Sequence, residues 1–271
     1  MIDSMINYFT KMPYLMRHAY HRLKSKWIWL VTPFIVSLLA LLITMVIFKM
    51  NGTEEIKQAQ GYFKLTAATS FLYIWIAIFC SYKTFKSEYY TGKLFNLNPI
   101  VQNIVIALVL CLTMLISLIC IIIATPVNIE SSIYSTLFFA IMSVFFVVIV
   151  STLLGLCSIL NRKVDMVYYV VSCVMFFIVP ILFIPNSNTT LLTHILMLNP
   201  MYYLIEGFAQ SVVLGVLSLN NIPYHLYYLL FLALLCVFIY ALYRVVAHKK
   251  YVLVNTQKNE DTPKDDSGQH T

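Results

Sequence analysis

The chain has 271 residues, of which 61% are hydrophobic and only 11% are charged, and its formal net charge at pH 7 is +7. About a quarter of the residues of an ordinary soluble domain are charged, so this composition excludes that class and indicates that lipid surrounds most of the chain. The excess of positive charge follows from membrane topology, as argued below, and we expect no nucleic-acid partner.

The first 27 residues form a basic, amphipathic segment. We predict an interfacial helix near residues 13–26, lying on the cytoplasmic leaflet, because Pro13 fits the first turn of a helix better than its middle. The alternative is a basic flank that only fixes the orientation of the first span. Apolar residues recur there at three- and four-residue steps, namely Met5, Phe9, Met12, Met16, Ala19 and Leu23.

Six apolar segments follow, each with roughly the length that a membrane-spanning helix needs. Their approximate bounds are 28–48, 66–82, 100–125, 133–160, 166–184 and 224–247. The second is the shortest. The sequence therefore predicts an all-α membrane protein whose transmembrane domain covers residues 28–247.

The basic residues are distributed unequally between the two sides of this map. Only Lys49, Lys57 and Lys64 fall on one side. The other side holds Lys11, Arg17, Arg22, Lys24, Lys26, Lys83, Lys86, Lys93, Arg162, Lys163, Arg244, Lys249, Lys250, Lys258 and Lys264. Because cytoplasmic loops retain Lys and Arg, we predict that both termini and the 83–99 and 161–165 loops are cytoplasmic.

The 83–99 segment is the largest cytoplasmic connection between predicted spans, and it mixes charges with aromatic rings. This mixture favours a short helix that docks against a protein partner, although aromatic residues also line membrane interfaces. Asn98 and Pro99 are expected to end the segment and begin the third span. The candidate docking residues are Lys83, Phe85, Lys86, Glu88, Tyr89, Tyr90, Lys93 and Phe95.

Residues 186–223 are apolar but are broken by Asn199 and Pro200, so neither half is long enough to cross a membrane. A seventh crossing would place Arg244 outside, against the charge distribution. We therefore predict an external re-entrant helical hairpin before the last span. Residues 248–271 are polar and mixed in charge, which predicts a disordered cytoplasmic tail.

The sequence contains none of the usual signatures of catalysis. No HExxH or GxSxG motif is present, and the Gly92-Lys93 pair lacks the glycine and the hydroxyl residue of a phosphate-binding loop. We expect no enzyme activity, no metal site and no cofactor in this chain. Energy for work would come from another chain.

Ionisable groups are scarce within the apolar segments, which disfavours ion-coupled transport. Glu206 is the one carboxylate in a strongly apolar stretch. We expect it either to clamp the two halves of the hairpin or to contact cargo. The chain also has 19 Tyr and 18 Phe; most would anchor spans at the interface, and a minority would line a passage for sugar rings.

The order of parts resembles the type-2 ABC exporter permeases. The stretch from Pro180 to Phe208, PILFIPNSNTTLLTHILMLNPMYYLIEGF, is similar to the segment of teichoic acid and O-antigen polysaccharide export permeases in which a PIL turn precedes a hairpin closed by an NP-x-Y-x-x-x-E motif. Asn199, Pro200, Tyr202 and Glu206 occupy the motif positions, and Phe183 stands where the family usually has Trp.

The resemblance implies a homodimer of permeases around a central path in the bacterial cytoplasmic membrane. Two ATP-binding subunits, which would hold ATP and Mg, dock below it on Lys83–Asn96. Residues of the external hairpin or gate would be Pro180, Pro185, Asn199, Pro200, Tyr202, Tyr203 and Glu206. The expected cargo is a lipid-linked cell-envelope glycopolymer. The alternatives are export of a peptide, toxin or drug, and a membrane scaffold without transport.

Overall fold

The structure is a computed structural model that describes residues 2–25, 27–95, 98–125, 130–161, 163–184 and 190–260. For residues 2–9, 91–95, 190 and 249–260 it describes the backbone. The described residues form nine α-helices and a 3-10 helix at Gly215–Asn220. The α-helices are α1 Ile2–Ser25, α2 Ile28–Asn51, α3 Glu55–Phe95, α4 Ile100–Ala124, α5 Ile133–Leu160, α6 Val164–Ile178, α7 Thr190–Met197, α8 Pro200–Val213 and α9 Ile222–Glu260.

Five helices of the described chain are long and apolar enough to cross a membrane. They are α2, α4, α5, the Glu55–Tyr90 part of α3 and the Ile222–His248 part of α9. The prediction of an all-α, multi-pass membrane protein is confirmed at this level. The fifth predicted span, 166–184, is helical only as far as Ile178, so α6 has 15 residues.

The helix before the first span begins at Ile2, well before the predicted start near residue 13, and it continues through Pro13. A proline inside a helix removes one backbone hydrogen bond. The packing of α1 against α4, with Leu15 and Ala19 buried, compensates for this lost hydrogen bond. Met16, which belongs to the predicted apolar stripe, is 52% exposed.

Helix α3 has 41 residues, so it is about 60 Å long, twice the thickness of a hydrocarbon core. The predicted second span, 66–82, is only its middle. The predicted loop at 83–99 is instead a continuation of the same helix as far as Phe95. The physical reason is that no proline interrupts the chain until Pro99.

The core is built where α3, α5 and α8 pack together. Helix α8 is the most enclosed element, with every residue from Met201 to Ala209 buried. Two glycines permit close packing: a Cβ added to Gly207 would lie 2.2 Å from the Phe139 ring, and one added to Gly155 would lie 2.5 Å from the Phe85 ring.

The bundle has two distinct ends. At the basic end, which we define by Lys83, Lys86, Lys163 and Arg244, a small apolar cluster joins α3, α5 and α9 near their carboxyl ends and includes the start of α4. At the opposite end, which we call the hairpin end after the hairpin predicted there, the Ser132 amide donates to the Ser211 carbonyl at 3.0 Å. The chain between Asn161 and α8 therefore returns from the basic end to the hairpin end.

Helix α9 remains helical through Glu260, into the segment predicted as a disordered tail. Residues 261–271, the rest of that predicted tail, lie outside the described residues. The backbone N–H and C=O groups of a helix hydrogen-bond to one another whether its side chains are polar or apolar. A polar composition therefore does not by itself end α9.

Candidate functional site

A ladder of aromatic rings lies between α2, α3 and α6, and we call it the aromatic ladder. Helix α3 contributes Phe71, Trp75, Phe79 and Tyr82, which are spaced four, four and three residues apart and therefore share one helix face. The other members are Trp29 on α2 and Tyr168, Tyr169, Phe176 and Phe177 on α6.

The rings of this ladder are in direct contact. Trp75 stacks on Tyr168 with ring centroids 4.1 Å apart and planes inclined by 22°. Phe71 continues the row, 5.8 Å from Trp75 and 5.9 Å from Phe176. The Tyr168 hydroxyl also donates to the Trp75 carbonyl at 2.9 Å. Such offset and edge contacts are the stable arrangements of aromatic pairs, so the ladder joins α6 to α3.

One side of the aromatic ladder is buried and the other is open. Tyr82 and Tyr168 are 1% and 3% exposed, whereas Tyr169 and Phe177 are 56% and 60% exposed. Flat ring faces with hydroxyls at their edges can stack on sugar rings and bond to their oxygens. The open side thus has the chemistry of a glycan-binding surface, and equally that of a surface facing lipid or another subunit.

An ion pair lies beside the last ring of the aromatic ladder, at the basic end of the bundle. Lys83 Nζ lies 2.5 Å from Asp165 Oδ2, and the Tyr82 hydroxyl donates to Oδ1 at 3.0 Å. The Lys83 hydrogen bond, followed by that of Tyr82, lowers the pKa of Asp165, which lies at the start of α6 ahead of the predicted span. Lys83, predicted from the sequence as a docking residue, here fastens α6 to α3.

The other predicted docking residues divide into a buried set and an exposed set. Phe85, Glu88 and Tyr89 are buried within this chain, while Lys86 and Tyr90 are exposed. Tyr89 packs edge-on against Tyr243 of α9, with ring centroids 6.1 Å apart. Lys93 and Phe95 belong to α3 by their backbone, and their side chains lie outside the description.

Glu88 ties α1 to the extension of α3 beyond the predicted span. His18 Nε2 lies 3.2 Å from Glu88 Oε2, and Arg22 Nε lies 3.2 Å from Oε1. Sequence reasoning missed this contact. The available signal was the spacing of His18 and Arg22, which stand four residues apart and so share a face of α1 opposite one carboxylate.

The Asn199-Pro200 break is a helix start. Asn199 caps α8 by accepting a bond from the Met201 amide at 3.1 Å, and Pro200 occupies the first turn, where its missing N–H costs nothing. Pro180 lies in the turn after α6, where the Ile181 amide donates to the Val179 carbonyl. Pro185 lies outside the described residues.

Tyr202, Tyr203 and Glu206 are all buried on α8. The Gln210 amide donates to Glu206 Oε1 at 2.9 Å, and Tyr202 also interacts with this carboxyl. Both partners belong to α8, so these contacts do not join the two halves of the hairpin as the clamp hypothesis requires.

The contacts of α7 and α8 with α9 depend on two histidines that the sequence did not single out. Tyr203 bonds His225 and packs on Tyr228 of α9, with ring centroids 4.8 Å apart. His194 of α7 bonds Tyr224. The signal for them was weak, since lone histidines in apolar segments are not distinctive.

Comparison with models of known protein families and with curated proteins finds no match for this chain. Within the described residues, no three His, Cys, Asp or Glu side chains come together as ligands for a metal ion. The aromatic ladder and the α1–α3 contact at the basic end are thus the candidate functional features of the chain.

Proposed function

We propose that this chain is the membrane permease subunit of an ATP-driven exporter of the type-2 ABC kind. Its cargo is a lipid-linked cell-envelope glycopolymer, a teichoic acid or another polysaccharide, and its membrane is the bacterial cytoplasmic membrane. The aromatic ladder is the observation that carries this proposal. A sequence of open ring faces suits a polymer of sugar rings better than it suits an ion or a small charged solute.

The ladder also suits movement along its length. From Tyr169 to Phe177 the exposed α6 part of the ladder extends about 12 Å along the helix axis, enough for more than one sugar ring in succession. Each stacking contact contributes only about 1 kcal/mol. A polymer held by many weak, similar contacts can advance by exchanging one for the next.

Six crossings with both termini in the cytoplasm are part of the proposal. Helix α6 runs antiparallel to α3, since Asp165 pairs with Lys83 at one end and Phe176 contacts Phe71 towards the other. Residues 166–184 would therefore supply a crossing from the basic end to the hairpin end. The concentration of Lys and Arg at the basic end favours its cytoplasmic orientation.

The segment from α7 to the 3-10 helix serves as the re-entrant hairpin. Helix α8 has 14 residues, about 21 Å, which is too short to cross the hydrocarbon core. It is buried against α3 and α5, and both α8 and the start of α9 contact the amino end of α5. The chain thus enters and leaves on one side.

The extension of α3 would couple this chain to two ATP-binding subunits, which bind ATP and Mg. Lys86 and Tyr90 are the described, exposed residues that would face the ATPase. Phe85 and Tyr89 would pass its movement to α5 and α9, on which they pack. Because Glu88 contacts His18 and Arg22 of α1, α1 would move together with this extension. A second copy of the chain completes the path.

The test is an export assay in cells that carry single aromatic replacements. Tyr169→Ala removes an exposed ring of the ladder, and we expect glycopolymer export to fall about ten-fold, consistent with loss of about 1.4 kcal/mol of contact energy. Tyr169→Phe keeps a ring and should retain most export. Trp27→Ala is the control, because Trp27 is exposed and outside the ladder.

Unchanged glycopolymer export in a folded Tyr169→Ala variant would remove the support for a glycan path. If peptide or drug export fell instead, the cargo assignment would be wrong while the permease role remained. Protein level in the membrane is measured in parallel, so that loss of the protein is not counted as loss of transport.

A further inference from the structure

A groove opens on the surface at the basic end, between the start of α4 and the carboxyl-terminal half of α9. It encloses about 540 Å³ and is lined mainly by apolar and aromatic side chains, including Phe85, Pro99, Leu156, Ile239, Tyr240 and Tyr243. Phe85 and Leu156 are fully buried in the floor, while Tyr240 and Tyr243 are 61% and 44% exposed at the rim.

The rim of this groove is positive. Arg244 is exposed, and its guanidinium lies 5.1 Å from the centroid of the Tyr240 ring, within cation–π distance. The residues that line the groove include no acidic side chain. Pro99 and Ile100 bring in the first turn of α4, and the amino end of a helix favours nearby negative charge.

An apolar floor, a tyrosine rim and a cation at the opening match a phospholipid. The acyl chain would lie against Ile100, Cys236 and Ile239, over the buried floor of the groove. The phosphate would lie at the level of Tyr240 and Arg244, where tyrosine and arginine side chains reach the head-group region. A water-soluble ligand would leave the apolar floor without a partner.

We propose that this groove is a binding site for one anionic phospholipid of the cytoplasmic leaflet. Helix α9 packs mainly on α5, so the lipid would fill the space between α9 and the start of α4. It would there lie over Phe85, on the extension of α3. The inference rests on the proposed orientation of the chain for the leaflet, and it does not depend on the cargo.

Purified full-length protein in detergent is titrated with phosphatidylglycerol or with phosphatidylcholine of the same acyl chains, and bound lipid is counted by native mass spectrometry. We expect one retained phosphatidylglycerol, favoured about five-fold or more over phosphatidylcholine, the effect of one basic residue near an anionic group. Arg244→Ala should abolish this preference. Lys163→Ala, which removes a charge at the same end but outside the groove, should preserve it.

Blocking the groove tests the apolar floor separately. Ile239→Trp should prevent retention of both lipids, whereas Val237→Trp, on an exposed neighbouring face of α9, should leave retention unchanged. Equal retention of the two lipids by the unmodified protein, or normal retention by Ile239→Trp, would overturn the site.

Two native cysteines allow a further check without substitution. Cys236 lines the groove and Cys173 lies on α6, and both are exposed. Phosphatidylglycerol should slow maleimide labelling of Cys236 and leave Cys173 unaffected. If lipid gives no protection and a short bismaleimide joins Cys236 of two chains, a second copy occupies the groove and the proposal is wrong.

Discussion

At the scale of single residues, Glu206 is the clearest test of how α8 is held. It is 3% exposed, and its described hydrogen-bond partner is Gln210 on the same helix. Glu206→Ala would leave the Gln210 amide without this acceptor, at a cost of about 1 kcal/mol. We expect a clearly lower Tm for Glu206→Ala and a nearly normal one for Glu206→Gln, which keeps shape and bonding capacity.

Thermal unfolding of the purified protein in detergent measures this difference. Equal Tm values for the Ala variant and the unmodified protein would show that the contacts within α8 contribute no stability. If stability is unchanged while export falls in both variants, Glu206 contacts cargo instead.

Asp165 gives a prediction about pH. Lys83 and Tyr82 lower its pKa in the folded protein, so the carboxylate contributes stability above its ordinary pKa and loses it as pH falls through the lowered value. The pair is partly exposed, so the contribution is below about 1 kcal/mol. The Tm of Asp165→Asn should therefore be slightly lower than normal at neutral pH, and the difference should close in acid.

Tm measurements from neutral pH down to about pH 3 follow this difference. A difference in Tm between Asp165→Asn and the unmodified protein that widens as the pH falls would contradict the lowered pKa of Asp165. Tyr82→Phe, which keeps the ring and removes one of the two bonds to Asp165, should show a smaller version of the same behaviour.

Sequence patterns predicted some of these residues and missed others for a definable reason. The Asn199-Pro200 pair is a local signal, because capping and a proline in the first turn depend on adjacent residues. The environment of Phe85, Glu88 and Tyr89 is not local. A mixed charged and aromatic face has the same composition whether it packs on its own chain or on a partner.

At the scale of elements, the contact between α1 and the α3 extension depends on Glu88. Replacing Glu88 with Ala removes the acceptor of both His18 and Arg22, so α1 should be held less firmly. We expect faster hydrogen exchange across residues 10–25 in Glu88→Ala. Lys86→Ala is the matched control, because Lys86 is exposed two residues away on the same helix.

Unchanged exchange in Glu88→Ala would mean that packing of Leu15 and Ala19 alone holds α1. In the proposed exporter, Lys86→Ala and Tyr90→Ala should instead weaken binding of the ATPase while exchange in α1 stays normal. The two measurements thereby separate the inner face of the extension from its outer face.

Hydrophobic length predicted where helices cross the membrane but not where they end. The apolar part of α3 ends near Tyr82, yet the helix continues to Phe95 because nothing breaks it. Helix α6 ends at Ile178 although residues 179–184 remain apolar, since a residue that precedes proline, here Val179, disfavours helical geometry.

At the scale of the whole molecule, the orientation proposed from charge is open to direct labelling. Cysteines introduced at Lys86 and Arg162 should resist a membrane-impermeant reagent in intact cells and react after the membrane is opened. A cysteine at Lys57 should react in intact cells. Rapid labelling at Lys86 or Arg162 in intact cells would reverse the topology.

The enclosed position of α8 could not be predicted from its composition. An apolar helix facing lipid and one buried among other helices have similar hydrophobicity, and only the contacts with α3 and α5 distinguish them. The association of aromatic residues into a ladder likewise depends on the antiparallel packing of α6 on α3. The order of the apolar helices and the basic end, in contrast, follow from length and charge.

The most direct test of the proposed function is reconstitution of the chain with the ATPase expected to co-purify with it. Proteoliposomes that contain both should move lipid-linked glycopolymer across the bilayer only when ATP and Mg are supplied, and the polymer should stimulate ATP hydrolysis. The Tyr169→Ala variant should bind the ATPase normally and transport slowly. Failure to recover any ATPase with the chain, or transport that proceeds equally without ATP, would contradict the account.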